Sequence, residues 1–522
     1  MLEELLKTGE RENIEFKEAL FIHIHLKPER RQHLASQMKF RLENGKGRAI
    51  YIIGVDDKGK VKGLNKLEFE ETLTVLRAVA AENSARITNV EKFEVDGKTI
   101  GKLTIERVYE GKVNLVVATA GHVDSGKSTL LGCLISGIPD DGAGKTRIFL
   151  DTLPHEIERG LSAELAYALY GFKNGKPIKL KNPLDKKERA RVVEESDKLV
   201  SFVDTVGHEP WLSTTIRGLV GQSIDYGLLT IGVDSGVTRI TKEHLGLLLA
   251  MDLPVIIALT KIDRFDEERI RRVEEEVEKM LKFIGKIPLK LKKEEDIGLV
   301  VDRMNNIVPV IRTSAVTLEG YDLLDKLLLM LNPRKRELDK PFLMYIDKIY
   351  NIRGVGTVVS GTIIQGMLEA GSELLLGPDR HGKFKKVKTM SIETHYHPLN
   401  KAKAGFVVGI ALRGVKHDEV ERGMVLCDSG IEPKAHTSFE AEILVLNHPT
   451  CIRNGYEPVV HIHTISEAVK LECLDKEYLK AGEFGRVRMT FKFRPHFINV
   501  GDKFVFREGK TKGIGTVLKL IK

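Results

Sequence analysis

An uncharged stretch, VNLVVATA (113–120), runs directly into Gly121-His122-Val123-Asp124-Ser125-Gly126-Lys127-Ser128, and Thr129 then opens the apolar segment TLLGCLISG. A continuous apolar run of this length suits a strand buried on both faces of a parallel sheet. The eight residues fit G-x-x-x-x-G-K-[ST], a turn whose glycines let successive backbone N–H groups close around phosphate oxygens at a helix N-terminus. In that setting Lys127 is placed for β- and γ-phosphates and Ser128 for Mg²⁺. To about residue 333 the alternation continues, with LVSFVDT, YGLLTIGVD, VIIALTK and VPVIRTS reading as strands between helical stretches. The middle of the chain is therefore expected to be a doubly wound α/β domain with a phosphate-binding loop.

Two more motifs close strands of that domain. LVSFVDT ends in Asp204-Thr205-Val206-Gly207-His208, where an acid at a strand end can hold Mg²⁺ through a water and Gly207 can offer its N–H to a γ-phosphate. His208 then lies beside that phosphate. VIIALTKID ends in Thr260-Lys261-Ile262-Asp263. A carboxylate there can accept from both N1–H and the exocyclic amine of guanine, while the Lys261 stem covers the base. Taken alone, Asp263 reads equally as a helix N-cap. VIRTSAV adds Ser314-Ala315-Val316, whose backbone N–H can meet the guanine oxygen.

The flanks differ in kind. Residues 1–111 read as a small α+β domain of nearly balanced charge, with helices around 29–45 and 69–82 and strands at AIYIIGV, KFEV and IGKLTIERV. After Asn332-Pro333 the hydrophobic period switches to two, with short strands and glycine turns, so 336–432 and 433–522 are expected to be two β-barrels behind the 112–335 domain. The 522 residues allow three or four domains at about 150 residues each. At 30% charged residues the chain is no low-complexity polymer, and no apolar run reaches the roughly 18–20 residues of a bilayer span, so no membrane partner is expected. Cys133, Cys427, Cys451 and Cys473 form no Cys-x-x-Cys pair, which excludes a zinc knuckle. The start, MLEELLKTGERENIEF, has no signal-peptide core, so the expected location is cytoplasmic. A net charge of +8 permits RNA contact without requiring it.

Together GHVDSGKS, DTVGH, TKID and TSA resemble, in order, the phosphate-loop, switch II, base and final guanine motifs of a translational GTPase of the elongation factor Tu class. HEIERGLS (155–162) resembles its switch I. Within the class, LPHEIERG, GHEPWLSTT and GVTRITKEHLGLLLAMDLPV are similar to the GTP-binding protein 1 and 2 branch, in an archaeal form. The resemblance implies an α/β P-loop G domain followed by two β-barrels, GTP/GDP and Mg²⁺ as ligands, and GTP hydrolysis by a monomer. It puts Ser162 at the Mg²⁺-reaching position of switch I, makes Val123 and Leu161 the apolar gate, and gives His208 the orientation of the attacking water. It also implies the ribosome and tRNA, or another RNA, as partners. Residues 1–111 resemble an AlbA-like or Schlafen-type domain, and the helix bearing Arg30, Arg31, Lys39 and Arg41 offers either an RNA-binding or a merely solvated face.

Three positions depart from the class pattern. Thr260 replaces an Asn, which implies the loss of a pocket brace and weaker guanine affinity; Ser162 replaces a Thr; Val206 replaces a Pro. The missing zinc knuckle speaks against an initiation factor 2 γ subunit, and a selenocysteine-specific factor is expected to continue into a fourth domain. Two alternatives stay open: a GTP-gated RNA or protein adaptor in RNA decay with incidental turnover, and a GTPase subunit of a metabolic enzyme. On the third barrel, His448, Arg453, Arg488 and Arg494 are expected either to touch RNA or to be solvated, and His461 and His463 to be packing residues.

Overall fold

The computed structural model describes residues 9–45, 48–83, 85–107, 112–150, 166–205, 220–221, 223–509 and 511–521, and counts of elements refer to these. The chain divides into two compact units, Met1–Lys112 and Val113–Lys522.

In the first unit, strands β1 (Ile14–Lys17), β2 (Arg48–Ile53), β3 (Ala85–Val95) and β4 (Lys98–Arg107) form a sheet in the order β1-β2-β4-β3. Helices α1 (Pro28–Asn44) and α2 (Lys66–Glu82) cover one face. Leu34, Met38 and Leu42 recur at every fourth position of α1, so one stripe meets Leu73, Leu76 and Val79 of α2 and Tyr51, Leu103 and Ile105 of the sheet. Asn65 starts α2, its side-chain oxygen accepting from Glu68 N–H while the Glu68 carboxylate accepts from Asn65 N–H. The expected basic face of α1 is smaller than its sequence implies: Arg41 turns inward to Glu10 and to the buried Glu15, while Arg30, Arg31 and Lys39 are exposed.

The second unit starts with an eight-stranded sheet among the described residues, in the order β11-β12-β10-β9-β5-β8-β6-β7. Its strands are β5 (Val113–Gly121), β6 (Ala166–Lys173), β7 (Lys176–Ile178), β8 (Lys198–Asp204), β9 (Tyr226–Gly232), β10 (Val255–Thr260), β11 (Ile287–Lys290) and β12 (Ile307–Arg312). The strands read from the sequence form its parallel centre. The edges add β11 and the antiparallel β6–β7 hairpin, turned at Asn174-Gly175, both residues having positive φ. Helices α3 (Lys127–Ser136), α4 (Lys186–Glu195) and α7 (Tyr321–Met330) cover one face, and α5 (Arg239–Ala250) and α6 (Glu267–Phe283) the other. After β8 the chain crosses from one side of β5 to the other, and at such a switch point the strand ends open into a crevice.

Two six-stranded barrels follow. Leu343–Tyr345 pairs with both Val425–Cys427 and Gly356–Gln365, which closes a ring through Glu373–Gly377, Lys385–Thr394 and Val407–Arg413. The last barrel closes Ser438–Asn447, Phe484–Phe491, Ile465–Cys473, Val459–Ile462, Lys503–Glu508 and Thr511–Ile521. Arg494, expected at the surface, is instead half-buried between the barrels, where it pairs with Glu421 and donates to the Arg422 carbonyl. Arg488 pairs with Glu440, Arg453 lies over the Tyr478 ring, and His448 meets the Tyr456 ring edge-on. His461 is buried, and His463 stacks on Tyr345 at 4.1 Å with Asp502 3.0 Å from its Nε2.

Buried polar groups fix the end of the α/β domain and the segment that leads from it into the first barrel. Asp225, fully buried, accepts from Val116 N–H and Arg334 N–H, both at 2.8 Å, and from the Arg336 guanidinium. Burial raises its carboxyl pKa and Arg336 opposes the rise. Lys198 donates to the carbonyls of Leu329 and Leu331 at the end of α7, while burial pulls its pKa down to about 8. Removing one member of such a buried set leaves the others unpaired. Asp225→Ala is therefore expected to cost about 3 kcal/mol or more, read as a lower denaturation midpoint. Substitution of the exposed Asp252, which pairs with Lys503, should leave the midpoint unchanged.

Candidate nucleotide site

The turn between β5 and α3 is built around glycine. Gly121 has φ 143°, and a Cβ there would lie 2.5 Å from the Thr230 carbonyl oxygen, so the strand can bend against β9 only without a side chain. Gly126, with φ 82°, is the N-cap of α3. Behind the turn, Ser125 Oγ and Thr230 Oγ1 share a hydrogen bond of 2.7 Å, and Gly121 N–H donates to His244 Nδ1 at 2.9 Å. Thr238 places His244 by capping α5, its hydroxyl accepting from Thr241 N–H.

The phosphate end gathers three chemistries. Lys127 Nζ donates to the carbonyls of Gly121 (3.1 Å) and His122 (2.8 Å), which holds the cation against the loop. Ser128 Oγ donates to Asp204 Oδ2 at 2.7 Å, and Thr119 Oγ1 donates to Asp204 Oδ1. Thr119 in turn accepts from Thr205 N–H, so the end of β8 is pinned to β5. A hydroxyl and a carboxylate converging beside a lysine and a helix N-terminus are hard oxygen donors of the kind Mg²⁺ prefers, next to an anion site. Gly207, His208 and Ser162, with Val206 and Leu161, lie outside the described residues.

At the base end, Asp263 and Ser314 are brought together, Ser314 Oγ donating to Asp263 Oδ1 at 2.7 Å. The same hydroxyl accepts from Thr317 N–H, which orients it. Lys261 has φ 64° and pairs with Asp234 at 2.6 Å. Thr260 corrects the expectation of a lost brace. Its hydroxyl donates to the Ser125 carbonyl at 2.7 Å, so a shorter side chain still bolts the base strand to the phosphate loop.

These elements line one cleft of about 280 Å³. Val123, Asp124, Gly126, Lys127, Ser128, Thr129, Thr260, Lys261, Asp263, Ala315 and Val316 face it, and Gly121, His122, Ser125, Asp204 and Ser314 stand behind it in the hydrogen bonds described above. Sequence reasoning missed the wall formed by Asp140, Gly142, Ala143, Gly144 and Arg147, together with Arg264. The signal was present in DDGAGK, an aspartate followed by small residues, which favours an Asx turn. His244 was missed as well.

His244 is neutral in this setting. Burial first, then the nearby Lys127, Lys512 and His122, bring its pKa down to about 3, and its Nδ1 must stay unprotonated to accept from Gly121. Half-buried His395, whose pKa desolvation also pulls down to about 3, behaves alike. Each folded-state pKa lies below the ordinary 6.5, so the unfolded chain binds the extra proton and stability falls as pH drops from about 6.5 towards 3. His244→Asn, whose amide oxygen can accept in place of Nδ1, is expected to remove one proton's share of that slope, about 1.4 kcal/mol per pH unit. Denaturant midpoints between pH 4 and 6.5, on the wild type and the variant, check this.

Known proteins resemble the chain across both units. Residues 112–333 match the elongation factor Tu GTP binding domain, 356–427 elongation factor Tu domain 2, and 432–521 the elongation factor Tu C-terminal domain. GTP-binding protein 1 of Xenopus laevis is 34% identical over 510 residues, 96% of this chain and 78% of that protein. Human GTP-binding protein 2 is 34% identical over 97% of this chain and 86% of its own length. Elongation factor 1-alpha of Methanopyrus kandleri is 30% identical over 79% of this chain and 99% of its own. Two solved structures share the fold. Bacterial selenocysteine-specific elongation factor EF-Sec superimposes with a TM-score of 0.58 at 23% identity, over 78% of this chain and 58% of that one. Elongation factor SelB of Methanococcus maripaludis, in complex with the GTP analogue GppNHp, gives 0.56 at 19% identity, over 78% of this chain and 80% of that one.

Proposed function

Because this chain belongs to the elongation factor Tu family of GTPases, and is a GTP-hydrolysing, translation-associated factor, we propose that it acts on the ribosome as a timer. In one nucleotide state it holds a tRNA acceptor arm or another RNA of a stalled complex, and in the other it lets go. The observation that carries this reading is the convergence, in one cleft in front of two barrels, of a lysine-bearing glycine loop, a Ser–Asp oxygen pair and an Asp–Ser base reader. The chain works in the cytoplasm, as a monomer.

Within that reading the loop N–H groups and Lys127 hold the β- and γ-phosphates, and Asp263, steadied by Ser314, accepts the two donors on the guanine edge. When bound, Mg²⁺ supplies charge neutralisation, with Ser128, Ser162 and, through water, Asp204 as its oxygen donors. Gly207 offers its N–H to the γ-phosphate, and His208 orients the attacking water by position. The oriented N–H groups and Lys127 stabilise charge on the transferring group without reorganising.

Two measurements test this. Asp263→Asn turns an acceptor towards the guanine donors into an amide, and is expected to weaken GTP binding at least about a hundredfold in fluorescence titrations while the fold persists. Multiple-turnover hydrolysis with and without ribosomes of a related organism should rise about tenfold or more with ribosomes, roughly 1.4 kcal/mol of barrier, and lose that rise in His208→Ala. Tight GTP binding with no ribosome effect would overturn the translational reading in favour of the adaptor.

A further inference from the structure

The wall that the sequence left unread is more ordered than a surface loop requires. Asp140 is buried, and its carboxylate takes four hydrogen bonds from the next six residues. Oδ2 accepts from the N–H groups of Gly142 and Gly144, both at 2.9 Å, while Oδ1 accepts from Thr146 N–H at 2.9 Å and Thr146 Oγ1 at 2.8 Å. Burial alone would raise the carboxyl pKa, yet these donors outweigh it and hold it below the usual range. The aspartate is thus a hub around which residues 140–146 wrap.

The hub is fastened at both ends to the base reader. Asp140 N–H donates to the carbonyl of Ala315, the residue after Ser314. The Gly142 carbonyl accepts from the guanidinium of Arg264, the residue after Asp263. A Cβ on Gly142 would stand 3.5 Å from Arg264 and 3.7 Å from Val316, so the loop passes close over both. Beyond it, the Arg147 stem runs beside Gly144 near Thr129, and both arginines line the cleft. One wall of the base end is therefore a strap whose anchors are the neighbours of the two residues that read the base.

We propose that residues 140–147 form a strap that retains the guanine nucleotide and sets its rate of release, with Arg264 as the latch and Asp140 as the internal brace. The inference rests on the nucleotide occupying this cleft. The Arg264–Gly142 contact joins the loop to the segment that follows Asp263, so opening it frees the loop from the side of the pocket that holds the base reader. Arg264 and Asp140 are positioning residues: they act on the lifetime of the complex and not on the hydrolytic step.

Stopped-flow release of N-methylanthraniloyl GDP from the full chain, chased by unlabelled GDP, tests the strap. Arg264→Ala is expected to speed release about tenfold or more with association changed less than threefold, and Arg264→Lys, which keeps a cation with a shorter reach, to fall between. Asp140→Asn, which turns an amide N–H towards the N–H groups of the loop, should speed release by a similar factor. The exposed Arg272→Ala, on the outer face of α6, should match the wild type. Melting curves unchanged in Arg264→Ala separate latch opening from general loosening. Release unchanged within twofold in both Arg264→Ala and Asp140→Asn, from a wild type that binds the probe, overturns the strap alone. A wild type that does not bind the probe overturns the reading of the cleft, and the strap with it.

Discussion

The β5–α3 turn is the constraint on which the cleft depends. It brings Gly121 within a Cβ's reach of the Thr230 carbonyl, at a φ that a side chain would strain. Because the turn is locked against β9 through Ser125 and Thr230, and against α5 through His244, the loop runs into α3 in a set direction. Lys127 and Ser128 inherit that direction, and Asp204 reaches Ser128 only because Thr119 fastens the end of β8 to β5. A site for a highly charged ligand is preorganised in this way, with its dipoles fixed before the charge arrives.

The phosphate and base ends are mechanically one. Thr260 joins the base strand to the Ser125 carbonyl, Ser314 fixes Asp263, and the wrapped loop at Asp140 is tied to Ala315. A change at one end is therefore felt at the other through short hydrogen bonds between elements distant in sequence. The same logic extends outward: Asp225 and Arg336 couple the central strand to the segment that enters the first barrel, and Lys512 of the last barrel reaches Glu243 of α5 at 2.6 Å. Both barrels are thus joined to elements that frame the cleft.

Much of this was legible along the chain. The apolar run of β5, the spacing of Gly121, Gly126, Lys127 and Ser128, and the strand-end positions of Asp204, Asp263 and Ser314 need only local pattern, because each motif is short and anchored by one buried strand. The edge strands were not legible. β11 is four residues long, carries a proline and is partly exposed, and β6–β7 joins antiparallel to an otherwise parallel sheet. Arg41 and Arg494 were misjudged for a related reason: an arginine on an amphipathic element reads as solvated until its carboxylate partners, far away in sequence, are known.

The sequence by itself determined the class of the fold, the order of its parts and the chemistry at each strand end, because hydrophobic period and glycine spacing act within a few residues. Tertiary structure alone decided that Thr260 could serve where an amide was expected, that His244 would be held neutral beneath the loop, and that the Asp140 loop would be fastened to Ala315 and Arg264 beside the base end. Each of those outcomes is a hydrogen bond between segments that meet only when the sheet is assembled, and no local pattern encodes such a meeting.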